Sequence, residues 1–257
     1  MKRSSREIRR IARDMLNNRY TVPMGAFVTA GLIPALIEIP FSMSAGDYPP
    51  TTPLIITTAA RFLLLLIGQM LSIGVFLVQL NMTRKKPFKL VQVFQPFRER
   101  TDRYFGAVLL YTLLVLLAGA PAIAGTVWFS YTGPTAACVA VLILSCLLSI
   151  LLIVAFMLNY QLIYLFLLDD PQMKVTAAFR ASRRLMKGNK QRLLSLFVGF
   201  LGWGGLIVCS FGIAALWAVP YMTQVLITFY LDCTEELDRI PVRDYGRESG
   251  SFINPFF

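Results

Sequence analysis

The chain contains no histidine and only four cysteines. Histidine is the commonest metal ligand and general acid or base, so its absence disfavours metalloenzymes and Ser-His-Asp hydrolases. The cysteines, at positions 138, 146, 209 and 233, have no C-x-x-C or metal-binding spacing, and we interpret them as small packing residues. No G-x-S-x-G, P-loop or H-E-x-x-H motif occurs. The sequence therefore predicts a protein that is not an enzyme and that binds no cofactor or metal.

Charge is also scarce, because only 15% of the residues are charged whereas 56% are hydrophobic. Soluble domains carry about 25% charged residues. Apolar runs of about 20 residues or more, each long enough to cross a bilayer, recur along the chain. We predict an all-α polytopic membrane protein with about six transmembrane helices. The predicted spans cover approximately residues 20–43, 54–82, 105–131, 135–168, 193–211 and 213–231.

Three details of these runs refine the prediction. The first run follows a basic N-terminus as in a signal peptide, but it is longer than the usual apolar core of about 7–15 residues. We therefore interpret it as a membrane span. The fourth is too long for one crossing, so residues 159–168 are expected to emerge as helix. The fifth and sixth runs need a reversal between them, which Ser210-Phe211-Gly212 favours.

The basic residues are strongly clustered, and 24 of the 25 Lys and Arg residues lie in four short stretches. Segments 1–19, 82–103 and 169–192 each carry seven of them with two acidic residues, whereas the connectors near 43–53, 131–134 and 210–213 carry only Asp47. By the positive-inside rule the basic segments and both termini are cytoplasmic. The predicted organisation is a basic segment 1–19, a membrane domain 20–231 and an acidic tail 232–257 in a plasma membrane, with no nucleic-acid partner.

Each basic segment also has the pattern of an amphipathic helix. In the first, Ser4 and Glu7 suggest a capping box, and apolar residues recur from Ile8 to Leu16 at helical spacing. In the third, Asp170-Pro171 suggests a helix start and Gly188-Asn189 a stop. We expect three interfacial helices whose apolar faces lie in the acyl boundary and whose cations bind anionic lipid. The candidate lipid contacts are Arg9, Arg13, Arg98, Arg180, Arg183, Arg184, Lys187 and Lys190. The alternative is that these charges only set topology during insertion.

The basic segments further suggest an internal repeat. Residues 12–18 and 182–188 share a pattern of a small residue, Arg, a charged residue, two apolar and two polar residues. Half of the sequence offset between these two stretches, counted from the first, leads to Phe97-Arg98-Glu99 in the middle basic segment. A unit of one interfacial helix and two spans used three times explains the pattern, but so does any six-span protein with basic inner loops.

Two charged residues and several small residues lie inside the apolar runs. Glu38 and Arg61 fall at similar depth in the first two spans, and we predict an intramembrane ion pair that is structural rather than a proton site. Pro220 is expected to kink the sixth span. The glycines of the fifth span are expected to allow close helix packing, which is favoured over a ligand groove. They are Gly199, Gly202, Gly204 and Gly205.

The C-terminal half resembles a known family. The motifs that carry the resemblance are Asp169-Asp170-Pro171, the run from Ala181 to Lys190, Gly199-Phe200-Leu201-Gly202-Trp203, the run from Phe211 to Tyr221, and Phe229-Tyr230. They are similar to the bacterial domain of unknown function 975 family of integral membrane proteins. The chain departs from the family pattern at Gly199 and Ala214. The resemblance implies a multi-span bacterial membrane protein and adds no activity.

Taken together, the sequence favours a non-enzymatic membrane protein that acts through anionic lipids or a protein partner at its cytoplasmic face. Association into a homo-oligomer is left open. The alternative is a small permease or exporter subunit, although such a protein needs a continuous polar path. Asp169-Asp170 could suggest a magnesium site, but no further acidic residue follows at helical spacing, and we interpret the pair as a helix cap.

Overall fold

A computed structural model describes residues 3–17, 19–43 and 52–240, and this part of the chain is α-helical without strands. The predicted outer connector around Asp47 and the tail beyond residue 240 lie outside the described residues. Within the described ranges, 3-10 helices cover Leu90–Phe94 and Leu237–Arg239. The α-helices are α1 (Ser5–Leu16), α2 (Thr21–Met43), α3 (Thr52–Thr83), α4 (Gln95–Arg98), α5 (Thr101–Thr132), α6 (Ala136–Tyr160), α7 (Ile163–Asp169), α8 (Val175–Met186), α9 (Lys190–Cys209) and α10 (Ala215–Cys233).

The long helices follow the predicted spans closely. Within the described residues, five stretches are long and apolar enough to cross a membrane, namely Thr21–Ile39, Ile56–Thr83, Thr101–Thr132, Ala136–Asp169 and Lys190–Cys209. The predicted sixth span corresponds to α10, which is not among them. The predicted reversal before α10 is confirmed, since Phe211 and Gly212 both have positive φ angles, of 51° and 89°.

Helix α10 lies at the centre of the bundle, where it contacts α1, α2, α3 and α9. Its second half is almost completely buried, and Phe229 and Tyr230 are the largest fully buried side chains of the described residues. In contrast, α5 and α6 pack mainly against each other and leave most of their apolar surface exposed. A helix enclosed by protein needs no lipid-facing apolar surface, so α10 can carry Gln224 and Thr228.

Polar side chains form hydrogen bonds between helices within the bundle. Pro121 interrupts the hydrogen bonding of α5, and the hydroxyl of Ser149 in α6 accepts a hydrogen bond from the Ala122 amide over 2.8 Å. Such substitution by a neighbouring hydroxyl is how spanning helices tolerate proline. Between α3, α5 and α7, Tyr164 donates to Gln69, which donates to Thr112, over 3.0 and 3.1 Å.

The predicted fourth span is not one continuous helix. A turn at Gln161 and Leu162 separates α6 from α7, so most of residues 159–168 are helical as expected, but largely in a separate short helix. Ser182 of α8 donates to the carbonyl oxygen of Asn159 over 2.8 Å, next to this break. Leu162 is fully buried, which anchors the turn in the core.

The three basic segments lie together at one end of the bundle, which we call the basic end. The capping box of α1 is confirmed, because Ser4 and Glu7 each bond the other's backbone amide over 3.3 Å. The apolar faces of α1 and α8 are also in the predicted register, but they pack against protein and not against lipid. Their buried residues are Ile8, Ala12, Met15 and Leu16 in α1, and Ala178, Phe179, Ser182 and Met186 in α8.

The middle basic segment is not a single amphipathic helix. After α3 the chain turns at Lys85, which has a φ of 54°, and continues through the 3-10 helix and the single turn of α4. Pro87 explains why α3 does not continue into this segment, because proline lacks an amide donor and disfavours a helical residue before it, whereas Pro96 lies in the first turn of α4, where proline is tolerated.

Candidate functional site at the basic end

The carboxylate of Asp232, near the end of α10, lies between two arginines. Its side chain is 2% exposed, Arg3 Nη1 lies 3.3 Å from its Oδ1, and Arg192 Nη2 pairs with its Oδ2. Arg192 also donates to the Arg3 carbonyl oxygen over 2.5 Å and stacks over the Phe229 ring. A buried carboxylate is strongly unfavourable unless it is paired, so these contacts tie the N-terminal segment to α9 and α10.

A second cluster is centred on Arg84, just after α3. Its Nη1 lies 2.6 Å from Asp169 Oδ1, while its Nε and Nη2 each donate to a carboxylate oxygen of Glu236 over 2.6 Å. Tyr230 donates to the other oxygen of Asp169. Burial alone would lower the pKa of Arg84, but the hydrogen bonds to Glu236 and Asp169 outweigh it and raise the pKa above its ordinary value. As a permanent cation, the guanidinium therefore joins the end of α3 to α7 and to the stretch that follows α10.

The Asp169-Asp170 pair has a different role from the predicted one. Asp169 belongs to the Arg84 cluster, and Asp170 accepts a hydrogen bond from the Gln172 amide over 2.8 Å. The residue that precedes the first turn of α8 is Lys174, so neither aspartate caps that helix. Among the residues that the structure describes, no group of three or more His, Cys, Asp or Glu side chains could hold a metal ion.

Most of the predicted lipid contacts form the outer surface of the basic end. Arg180, Arg183 and Arg184 of α8, and Lys187 directly after it, follow one another at helical spacing on the side opposite the buried face, and all four are exposed. We call them the α8 cation strip. None of the four makes an ion pair with a described residue. Arg13, Arg98 and Lys190 are likewise exposed.

Arg9 differs from the other predicted contacts because its guanidinium packs against α9. A Cβ atom at Gly199 would collide with Arg9 Nη1 and lie 3.2 Å from its Cζ. Gly199 thus makes room for a cation and not for a helix backbone. Gly202, Gly204 and Gly205 have no neighbouring atom within 4 Å of such a Cβ, so the predicted close packing at these glycines is wrong in the described structure.

The remaining predicted residues lie within the helices. Pro220 is buried, and α10 continues through it to Cys233. The next residue, Tyr221, stacks against Trp203 of α9 with ring centroids 5.5 Å apart. At the opposite end of α2 and α3, Arg61 Nε lies 3.5 Å from Glu38 Oε1. Both of these side chains are about half exposed, so the structure brings the two charges together away from the core.

The sequence does not reveal the two ion-pair clusters centred on Asp232 and Arg84. It places Asp232 and Glu236 in a predicted acidic tail, although Leu237 is 1% exposed and this stretch packs against the bundle. The partners Arg3, Arg84 and Arg192 each lie close to an end of a predicted helix, a position that also fits ordinary topological signals. One usable signal was available: an acidic residue within an otherwise apolar last helix, as Asp232 is, requires a cationic partner.

Comparison with known proteins identifies a family. The family model described as Protein of unknown function (DUF975) matches residues 1–236, a range that includes α1 to α10. No curated protein and no solved structure matches the chain.

Proposed function

Because the chain belongs to DUF975, a family of proteins of unknown function, we propose its function from the helix bundle and its basic end. It is a six-span protein of a bacterial plasma membrane whose basic end faces the cytoplasm. It is not an enzyme, and it works by binding anionic phospholipids through that end.

Contacts between the two ends of the chain support an even number of crossings. Arg3 precedes α1, and Asp232 lies near the end of α10, yet their side chains are 3.3 Å apart. Five crossings between these residues would place them on opposite sides of the membrane. If α9 crosses the membrane, α10 therefore crosses it in the opposite direction. Its 19 residues span about 28 Å at 1.5 Å per residue, close to the thickness of the hydrocarbon core.

The side of the membrane follows from charge. The inner ends of the α2–α3, α5–α6 and α9–α10 pairs all meet basic segments, whereas the turns at 131–134 and 210–213 carry no charge. Lys and Arg are retained on the cytoplasmic side, so the basic end and the N-terminus are assigned to the cytoplasm.

The α8 cation strip is the observation that carries lipid binding. Its four cations have no acidic partner among the described residues, whereas Arg3, Arg84 and Arg192 are each paired within the bundle. An unpaired basic cluster next to the cytoplasmic leaflet attracts anionic headgroups by about 1 kcal/mol per charge before screening. Four such charges are enough to select anionic over zwitterionic lipid.

The test is to replace Arg180, Arg183, Arg184 and Lys187 together by Gln and to count retained lipids by native mass spectrometry of the detergent-extracted protein. Loss of these four charges leaves the other basic residues to maintain orientation. We expect retention of phosphatidylglycerol to fall by at least tenfold, with little change for phosphatidylethanolamine, because only the charged headgroup loses its partners.

The matched control replaces the three arginines of the strip by Lys, which preserves all four charges, and it should retain lipid like the unmodified protein. If the Gln variant inserts normally and retains phosphatidylglycerol unchanged, the strip serves only insertion and the lipid-binding proposal is wrong.

A further inference from the structure

The middle basic segment runs back along the bundle from the end of α3. After the turn at Lys85, the 3-10 helix Leu90–Phe94 packs against both α2 and α3. A Cβ atom at Gly74 would lie 2.6 Å from the carbonyl carbon of Val93, and one at Gly25 would lie 3.1 Å from a methyl carbon of Leu90. Gly74 precedes the last residue of α3 by more than two helical turns. The chain therefore returns alongside α3 before α5 begins.

This return is held in one orientation. Val93 is fully buried among Val22, Ala26, Val75 and neighbouring residues of α2 and α3. The side-chain amide of Gln92 accepts from Asn81 over 3.3 Å and donates to the Pro87 carbonyl oxygen over 3.4 Å. Val93 points inward, and its backbone lies directly against α3 at Gly74. The directions in which the neighbouring side chains of the segment point are therefore fixed as well.

The outward side of the segment is apolar and flanked by cations. Val91 is 64% exposed and Phe94 is 37% exposed. Lys89 and Arg98 on either side are also exposed and make no ion pair with a described residue. The buried faces of α1 and α8 are covered by protein, so among the three basic segments this one combines exposed apolar side chains with unpaired cations.

The depth of the segment can be taken from α2. This helix is apolar from Thr21 onward, and Leu90 contacts it at Gly25, four residues later. Four residues correspond to about 6 Å of helix. Interfacial segments bury their apolar face about 5–10 Å into the boundary between headgroups and acyl chains.

We propose that residues 90–94 form a wedge in the cytoplasmic leaflet of an anionic phospholipid membrane. Val91 and Phe94 contact acyl chains, and Lys89 and Arg98 contact the phosphate and headgroup oxygens above them. The wedge rests on the proposed function in one respect, that the basic end faces the cytoplasmic leaflet, and it adds an apolar contact that the α8 cation strip lacks.

The experiment uses the full chain with its three tryptophans, Trp128, Trp203 and Trp217, replaced by Phe. A single tryptophan is then introduced as Phe94→Trp, with Val91→Trp as a second reporter and Gln172→Trp as the control at an exposed position of the basic end. Each protein is placed in nanodiscs of phosphatidylglycerol or phosphatidylcholine, with unmodified or dibrominated acyl chains.

We expect both wedge reporters to emit at shorter wavelength than the Gln172→Trp control and to lose most of their emission in brominated discs. Adding Lys89→Gln and Arg98→Gln should reduce this quenching more in phosphatidylglycerol discs than in phosphatidylcholine discs, because only the anionic headgroup loses its cationic partners. If both wedge reporters emit as in water and are not quenched by bromine, the wedge is wrong.

The two proposals fail in different ways. Unquenched reporters together with strip-dependent retention of phosphatidylglycerol would reject the wedge alone. Quenched reporters together with unchanged phosphatidylglycerol retention in the Gln variant of the α8 cation strip would reject the proposed function alone.

Discussion

At the scale of single residues, the strongest constraint is the buried charge at Asp232. Equal depth in neighbouring spans was enough to pair Glu38 with Arg61, and the structure places these side chains 3.5 Å apart. No such local rule links Asp232 to Arg3 and Arg192, because the partners are distant in sequence and meet only through the packing of α1 and α9 on α10. The predicted helix packing at the α9 glycines is wrong for a related reason. Their spacing shows that they share a face of the helix, but it does not show what that face contacts.

Asp232→Asn should lower the free energy of unfolding by about 3–5 kcal/mol, because it removes the buried carboxylate of the pair and leaves the partly buried Arg192 guanidinium without its acidic partner. The measurement is thermal or denaturant unfolding in detergent. Asp238→Asn is the matched control: its carboxylate also binds Arg3, over 2.6 Å, but its side chain is 55% exposed, so the change should be within about 1 kcal/mol. Equal effects of the two substitutions would contradict the assigned role of Asp232.

At the scale of helices, apolar run length and turn residues located the long elements well. The predicted spans begin and end within a few residues of α2, α3, α5, α9 and α10, because turns such as that at Gly133, with a φ of 77°, are marked by residues that favour them. The break between α6 and α7 has no Gly or Pro to mark it. The partner of an amphipathic face was equally unpredictable, since helical periodicity is the same whether the face meets lipid or protein.

The packing of α1 against α10 predicts that its apolar residues contribute to stability even in detergent. Ile8→Ala and Met15→Ala should each destabilise the protein by about 2–4 kcal/mol, because both side chains are fully buried. Arg10→Ala on the exposed side of the same helix is the control and should change stability by less than about 1 kcal/mol. A purely lipid-facing α1 would instead give small effects for all three variants in detergent.

At the scale of the whole molecule, the helix order is a short helical segment followed by two long helices, three times along the chain. The buried positions of α1 and α8 also coincide at the predicted offset, as Ile8 with Ala178, Ala12 with Ser182, and Leu16 with Met186. The middle unit departs from this pattern because its short segment forms a 3-10 helix and one α-helical turn. The threefold repeat stays a prediction that these coincidences favour.

The whole-molecule account depends most on the return crossing of α10, which is less apolar than the other proposed spans. The direct test is labelling of intact cells with an impermeant maleimide after the four native cysteines have been replaced by Ser. Single cysteines are introduced at Phe211, which is 98% exposed in the turn between α9 and α10, and at Glu235, which is exposed just after α10. The six-span arrangement predicts that Phe211→Cys is labelled from outside and that Glu235→Cys is labelled only after the cells are permeabilised. Labelling of Glu235→Cys in intact cells, or protection of Phe211→Cys, would contradict it, and protection at both positions would mean that α9 and α10 do not cross the membrane.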